Sequence, residues 1–417
     1  MIACQAAHWM MERVFCVVGP IPVRIVVEGL GSYFPPGLSP KFTLRVRDLK
    51  TLAGILIDPE MGFGEAYADG RVTVDGDLTR FLELVYVSMS HSSGPRWYSR
   101  AASKWMELWQ DNSPRGSRRN IERHYDLGNE FYRLWLDRQM VYTCAYFPSP
   151  EMTLEDAQIA KMEYVCRKLH LEPGETVVEA GCGWGGLALY MARHYGVRVK
   201  AFNISREQIQ WARRRAAGEG LGRDVEFIED DYRNITGKSD VFVSVGMLEH
   251  VGETHFHDFS EVIHRAIGTN GRGLLHFIGR SYHSPFSTWI RKRIFPGAYA
   301  PTLSEAAHML ERHGYDILDV EDLRLHYART CEHWLRRFEN SHGQVSAMYG
   351  NWFTRAWQLY LAGSIAGFAT DTLQLFQLVF AGPQSRPPAW TRAHLDSAEV
   401  GSQCRRDPEQ LWSRVTS

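Results

Sequence analysis

Val177-Val178-Glu179-Ala180-Gly181-Cys182-Gly183-Trp184-Gly185-Gly186 is an apolar run that ends in a glycine turn and opens a helical segment. A strand leading into closely spaced glycines brings bare backbone to the edge of a sheet, where a ligand can lie across the strand ends. Further apolar, β-rich runs follow Thr176 to Glu179: Val197 to Ile204, Val225 to Ile228, Asp240 to Val245 and Gly273 to Ile278, with helical segments between them. That alternation predicts an α/β, doubly wound parallel sheet. A late run, Leu373 to Phe380, predicts an added antiparallel edge strand, which makes the sheet mixed.

The glycines at 181, 183 and 186 also fit the dinucleotide fingerprint. A nicotinamide cofactor would want an acid about 20 residues on, to hold the ribose hydroxyls, but the chain there reads Ala201-Phe202-Asn203-Ile204-Ser205. Glu179, just before the first glycine, is instead the acid that class I S-adenosylmethionine enzymes use to face the methionine ammonium. A turn that served packing alone would have little use for three glycines. Ser205 and Gln208 form a capping-box pattern that explains their presence without a ligand. Asp231-Tyr232-Arg233 reads either as a cover for an adenine ring, Tyr offering a flat apolar face, or as a surface turn.

The remainder of the 417-residue chain has an ordinary globular composition, 44% hydrophobic and 23% charged, at a length that suits one large core plus a smaller module. Its formal net charge of -1 gives no reason to expect nucleic acid as a partner. Cys4, Cys16, Cys144, Cys166, Cys182, Cys331 and Cys404 show neither CxxC spacing nor a metal pattern, so a reducing cytoplasm, no disulfide framework and no metal are expected. Apolar runs near the start are broken by Gly19, Pro20, Pro22 and Arg24, short of the roughly 20 residues a spanning helix needs. Composition divides the chain into a small N-terminal domain (1–90) with a glycine-rich segment from Gly62 to Gly70, a polar basic linker (91–119), a catalytic domain (120–381), and a Pro-, Arg- and Ser-rich tail (382–417) expected to be disordered.

Ordered motifs run from Asn120 through His124-Tyr125-Asp126-Leu127-Gly128-Asn129 to Tyr132, then Leu136-Asp137, Met140-Val141-Tyr142-Thr143-Cys144-Ala145-Tyr146-Phe147, the glycine turn, Val243 to Gly252, Leu275 to Gly279, Trp289 to Pro296 and His326 to Thr330. Together they closely resemble the signature of the cyclopropane-fatty-acid and mycolic-acid cyclopropane synthase family. Gly62 to Asp77, with Leu78 to Leu84, looks like the N-terminal domain of its phospholipid-acting branch. The resemblance implies a methyltransferase-type sheet, S-adenosylmethionine as cofactor, and transfer of a methylene group to the cis double bond of a phospholipid acyl chain. It also implies a bicarbonate held by Cys144, Glu249, His276, the backbone of Ile278 and Tyr327. In that chemistry the alkene attacks the sulfonium methyl, a carbocation forms, and a small base removes a proton from the new methyl group so that the ring closes. The implied cofactor set is Tyr142, Thr143, Glu179, Gly181, Gly183, Trp184, Gly185, Asn203, Ile204, Gln208, Tyr232 and Arg233.

Each residue of the anion set has a plain alternative: a buried small thiol at Cys144, a core histidine at His276, a packing phenol at Tyr327, and a dipole-favoured acid at Glu249. Two departures stand out. Ser364 follows Tyr360-Leu361-Ala362-Gly363 where relatives often carry cysteine, which removes a covalent cysteine mechanism at that position; Asn203 stands where threonine is usual. Arg291-Lys292-Arg293, flanked by Trp289, Ile290, Ile294 and Phe295, reads as a docking patch for a bilayer surface or as a solvated basic turn. Peripheral attachment to the inner face of the membrane follows from the first reading. Lipid binding and homodimer formation are both open to the N-terminal domain. Methyl- or methylene-branched products, a silent membrane-binding homologue and a heteroatom methyltransferase are the competing functions.

Overall fold

The structure is a computed structural model that describes residues 2–91, 127–283, 287–386 and 391–396. The basic linker beyond residue 91, His124 to Asp126 of the signature, and tail residues 387–390 and 397–417 lie outside the described residues.

The N-terminal part begins with helix α1 (Ile2–Val18), which buries Ala7 and Met11. Strands β1 (Val23–Val27), β2 (Gly31–Tyr33), β3 (Phe42–Val46) and β4 (Val72–Asp75) form a sheet in the order β2-β1-β3-β4. Period-two alternation buries Val23, Ile25, Val27, Leu44 and Val46 and exposes Arg24 and Arg45. Helices α2 (Leu49–Ile57) and α3 (Pro59–Ala68) connect β3 to β4, each started by an aspartate cap, Asp48 and Asp58. The glycine-rich segment is therefore mostly helix, and its glycines serve close approach. A Cβ on Gly62 would lie 2.3 Å from the carbonyl oxygen of Gly54, and one on Gly64 would lie 2.4 Å from the Trp289 ring. Helix α4 (Leu78–His91) ends this part.

The larger part starts with α5 (Asn129–Arg133) and α6 (Leu154–Lys168), then alternates β5 (Thr176–Ala180), α7 (Gly186–Tyr195), β6 (Arg198–Asn203), α8 (Arg206–Gly218), β7 (Val225–Glu229), β8 (Val241–Val245), α9 (Leu248–Val251), α10 (Phe256–Ile267) and β9 (Arg272–Gly279). Next come α11 (Thr288–Arg293), α12 (Leu303–Glu311), β10 (Asp316–Asp322), α13 (Arg324–Asn340), α14 (His342–Ala369, bent at Gly350), β11 (Gln374–Ala381) and α15 (Ala393–Asp396). The seven-stranded sheet runs β10-β11-β9-β8-β5-β6-β7, and only β11 opposes the rest. The expected antiparallel edge is thus corrected. The late strand lies between β9 and β10, buried at every position, and the edge is β10. Asp316-Ile317-Leu318-Asp319-Val320-Glu321-Asp322 did not read as a strand because its acids lie on both faces: Asp319 and Glu321 are half-buried and pair with Lys168, while Leu318 and Val320 are exposed on the other face.

One core lies on each face of the large sheet, and a third, rich in aromatic rings, joins the N-terminal part to α13 and α14 without a break. Arg355 on α14 donates to the carbonyls of Tyr67 and Val72, and Tyr67 donates to Gln358. The basic stretch belongs to this junction. Trp289 is buried against Gly64 and donates to Glu65, Arg293 pairs with Glu65 at 2.7 Å, and Ile294 is buried. A docking patch that uses Trp289 and Ile294 as membrane-facing groups is therefore ruled out, because α3 already covers them. The tail also departs from expectation in part. Gly382 and Gln384 donate to the carbonyls of Gly271 and Thr269, and α15 lies beside α6, where the Leu395 carbonyl accepts from Arg167.

Gly64→Ala should cost about 1–3 kcal/mol in urea unfolding, because the indole behind it must move. Gly54→Ala, whose Cβ would meet nothing within 4 Å, should be neutral or stabilising by up to about 1 kcal/mol. Equal effects at both positions would contradict the packing described.

Candidate active site

The glycine turn crosses the carboxyl ends of the central strands and forms one wall of a cavity. Gly183 adopts φ +54 with open space where a Cβ would be, so backbone faces the cavity. Gly185 also has positive φ, but its Cβ would strike Phe227 at 2.5 Å and Ala212 at 2.9 Å; it serves the packing of α7 against β7 and α8 rather than the wall. Asn203 clips the turn: its amide donates to the Gly183 carbonyl at 3.3 Å and to Gln208 Oε1 at 2.6 Å. Ser205 Oγ caps the backbone of Gln208, while the Gln208 side chain turns to Asn203 instead of completing a capping box. Trp184 Nε1 donates to Asn129 Oδ1 at 2.6 Å, which ties the turn to the upstream signature.

Of the implied cofactor set, Tyr142, Thr143, Glu179, Gly181, Gly183, Trp184, Asn203, Ile204, Gln208 and Tyr232 line this cavity. Gly185 and Arg233 do not. The Arg233 guanidinium lies behind Tyr232, 4.8 Å from its ring, and pairs with Asp231 at 2.9 Å. Lys161, Met247 and His250 complete the wall where sequence reading named no cofactor contact. A signal for Lys161 was present: α6 buries Leu154, Ala157, Gln158, Lys161, Met162, Val165, Cys166 and Lys168, so three polar residues sit on a stripe that should be apolar.

Glu179 is buried, and its Oε2 has no hydrogen-bond partner. Burial pushes its carboxyl up to about 8, with Lys161 pulling the other way. A buried, half-satisfied carboxylate beside a backbone-lined turn, with Phe202, Ile204 and Tyr232 offering apolar surface, fits S-adenosylmethionine: ammonium at Glu179, adenosine against the apolar wall.

A second cluster adjoins the cavity. Glu249, on α9, accepts from the Ile278 backbone N–H at 2.5 Å through Oε1, and its buried Oε2 has no partner. Burial raises its carboxyl to about 7, and the Ile278 N–H opposes that shift. His276 Nδ1 lies 3.0 Å from Gln377 Nε2, and His276 Nε2 is buried without a partner. With the Gln377 amide donating, the ring proton sits on Nε2; burial first, then Lys161 and Lys168, hold the imidazole neutral. Burial pushes the Cys144 thiol up and keeps it a thiol, and it likewise raises the Tyr327 phenol, with Cys331, Tyr360, Cys144 and Glu249 adding to the effect. Tyr327 thus lies within electrostatic reach of Cys144 and Glu249, but Ile278 differs from expectation. Its N–H is given to Glu249, so it positions that carboxylate instead of offering a free donor. Ser364, in place of the expected cysteine, bonds back to the Tyr360 carbonyl at 2.9 Å.

Comparison with known proteins identifies the family. A family model described as mycolic acid cyclopropane synthetase matches residues 112–378. The chain belongs to that family. It is 34% identical over 391 residues to a probable fatty acid methyltransferase of Pseudomonas putida, covering 89% of this chain and 95% of that one. It is 33% identical over 339 residues to the cyclopropane-fatty-acyl-phospholipid synthase of Escherichia coli strain K12, covering 81% and 87%. A solved mycolic acid cyclopropane synthase complexed with SAH and CTAB superposes with a TM-score of 0.60 at 29% identity, covering 63% of this chain and 97% of that one. The protein is accordingly an S-adenosylmethionine-dependent methyltransferase, and the glycine-turn cavity is where its cofactor fits. No helix among the described residues is long and apolar enough to cross a membrane.

The raised carboxyl of Glu249 has a defined effect on stability. Its folded value of about 7 exceeds the ordinary 4.5, so the folded state holds the proton longer and stability falls as pH rises from 4.5 to about 7. Glu249→Gln should therefore unfold at higher temperature than the wild type at pH 8, by an amount on the order of 3 kcal/mol at most, with the difference gone below pH 4.5. Parallel melting curves across that range would contradict the burial of an ionisable carboxylate.

Proposed function

We propose that the protein transfers a methylene group from S-adenosylmethionine to the cis double bond of an unsaturated phospholipid acyl chain and closes a cyclopropane ring. The observation that carries this reading is the pair of unpartnered buried atoms Glu249 Oε2 and His276 Nε2, an acceptor and a donor, with Tyr327 within electrostatic reach of Glu249 and Cys144. Heteroatom transfer and ring closure both use a base, but only ring closure takes its proton from the transferred methyl group. A small oxyanion that can also take up a proton suits it, and bicarbonate bound there would supply the base that removes the methyl proton. The residues then have separate tasks. His276 Nε2–H donates to the anion, Glu249 holds its proton or accepts from it, and the thiol and phenol, both kept neutral by burial, close the shell without adding charge.

The ring faces of Tyr142, Trp334, Tyr327, Phe368 and Tyr360 cluster on this side of the cavity, with Tyr142–Trp334 centroids 5.2 Å apart and Tyr327–Phe368 at 4.5 Å. Aromatic faces can stabilise positive charge on an alkyl chain while contributing no nucleophile to trap it. The proposed partner is a bilayer surface, and peripheral work at the cytoplasmic face follows from it. Resemblance in sequence to the Escherichia coli enzyme, extending into the N-terminal part, supports a phospholipid substrate. Similarity to a probable fatty acid methyltransferase supports the branched-chain alternative.

Vesicles of cis-monounsaturated phospholipid, incubated with enzyme and S-adenosylmethionine, should release S-adenosylhomocysteine and yield fatty esters heavier by one CH₂ that resist mild hydrogenation. Glu249→Gln should lower turnover by about 10²-fold or more while leaving S-adenosylhomocysteine affinity within about threefold. Full turnover in that variant would refute the base site, and products that take up hydrogen would favour the branched alternative.

A further inference from the structure

Lys161 is 2% exposed, lies inside the larger domain and carries its ammonium to the cofactor cavity. Among the described residues its one hydrogen bond runs from Nζ to Thr143 Oγ1 at 2.9 Å. No ion pair joins it to Glu179, although both line the same cavity. A buried ammonium with spare donors and a buried carboxylate with an unpartnered oxygen, neither neutralising the other, carry a large desolvation cost unless something charged fits between them. An α-amino acid zwitterion has the required pair of charges.

Thr143 is placed to transmit one half of this. Its carbonyl accepts from Gln158 Nε2 at 2.8 Å, which fixes the backbone, and its hydroxyl oxygen accepts from Lys161. A hydroxyl that accepts from an ammonium turns its own hydrogen away, and here Thr143 itself lines the cavity. We propose that Lys161 is the positioning residue for the amino-acid end of the cofactor: acting through Thr143, it presents a hydroxyl donor to the carboxylate, opposite the Glu179 carboxylate that takes the ammonium.

The electrostatic surroundings agree. Asp137 from the segment after α5, Cys144 beside Thr143, Glu179 on β5 and His276 on β9 all feel the Lys161 charge, which favours the ionised forms of the first three and the neutral form of His276. Burial lowers Lys161 itself to about 8, while the Asp137 and Glu179 carboxyls help it stay charged. The inference rests on the cofactor assignment and is independent of the lipid.

The test compares two ligands on the full-length protein by calorimetry: S-adenosylhomocysteine, and 5′-methylthioadenosine, which has the same adenosine and sulfur but no amino-acid end. Lys161→Met should weaken S-adenosylhomocysteine by about 10- to 100-fold and change 5′-methylthioadenosine by less than about threefold. Thr143→Val should show the same split, and the double variant should lose no more than Lys161→Met alone, as expected of groups acting in series. Where Lys161→Met fails to fold, Thr143→Val and Lys161→Gln carry the comparison. Equal weakening of both ligands would reduce Lys161 to a structural role, and unchanged binding of S-adenosylhomocysteine would remove it from the site; either result overturns the proposal. Because no lipid is used, failure here leaves the ring-closing reading untouched.

Discussion

The segment from Asp137 to Phe147 is largely buried, lies outside the helices and strands, and everything in the site leans on it. Buried irregular backbone is costly unless its polar groups find partners. Here the chain supplies them from several directions. Asp137 accepts from the amides of Gln139 and Val141, Gln158 donates to the carbonyls of Val141 and Thr143, Thr330 accepts from Ala145, and His326 accepts from Phe147. Tyr146 adds a bond to the Ala157 carbonyl. Met140 takes the left-handed conformation at φ +58, a strain that this set of bonds can hold.

Because that segment is fixed, consecutive residues serve two neighbouring sites. Tyr142 and Thr143 line the cofactor cavity, and the next residue, Cys144, lies within electrostatic reach of Tyr327. The same economy recurs on the sheet side, where Glu249 belongs to the cluster and His250 to the cavity wall, and where the Gly246 amide donates to the His276 carbonyl. Both sites carry ionisable groups whose ordinary charge states are altered by burial: Glu179 and Glu249 upward, Lys161 and His276 downward. Such a concentration of displaced titrations is what a reacting centre needs, and what a core built only for stability avoids.

Much of this was legible in the sequence. Periodicity and the glycine turn located the five parallel strands, and the acid before the turn identified the cofactor class, because both depend on local pattern. What escaped depended on long-range partners. Strand β10 was hidden because its half-buried face carries Asp319 and Glu321, whose partner Lys168 lies more than a hundred and fifty positions upstream. The burial of Trp289 requires Gly64, more than two hundred positions upstream, and nothing in Trp289 to Pro296 alone distinguishes a membrane anchor from a buried junction. Arg233 sits at a strand end facing the cofactor, but its pairing with Asp231 turns it away. Lys161 stands on the buried face of α6, but only the folded chain shows that this face reaches the cofactor cavity.

The central claim is that a proton leaves the transferred carbon itself, in the pocket bounded by Cys144, Glu249, His276 and Tyr327. Mass spectrometry of lipid products made with S-adenosylmethionine trideuterated on its methyl group tests it most directly. Ring closure at this cluster predicts that two of the three deuteriums remain, in a product without a double bond at the modified site. Retention of all three would mean that the proton is taken from elsewhere on the acyl chain and would contradict the account.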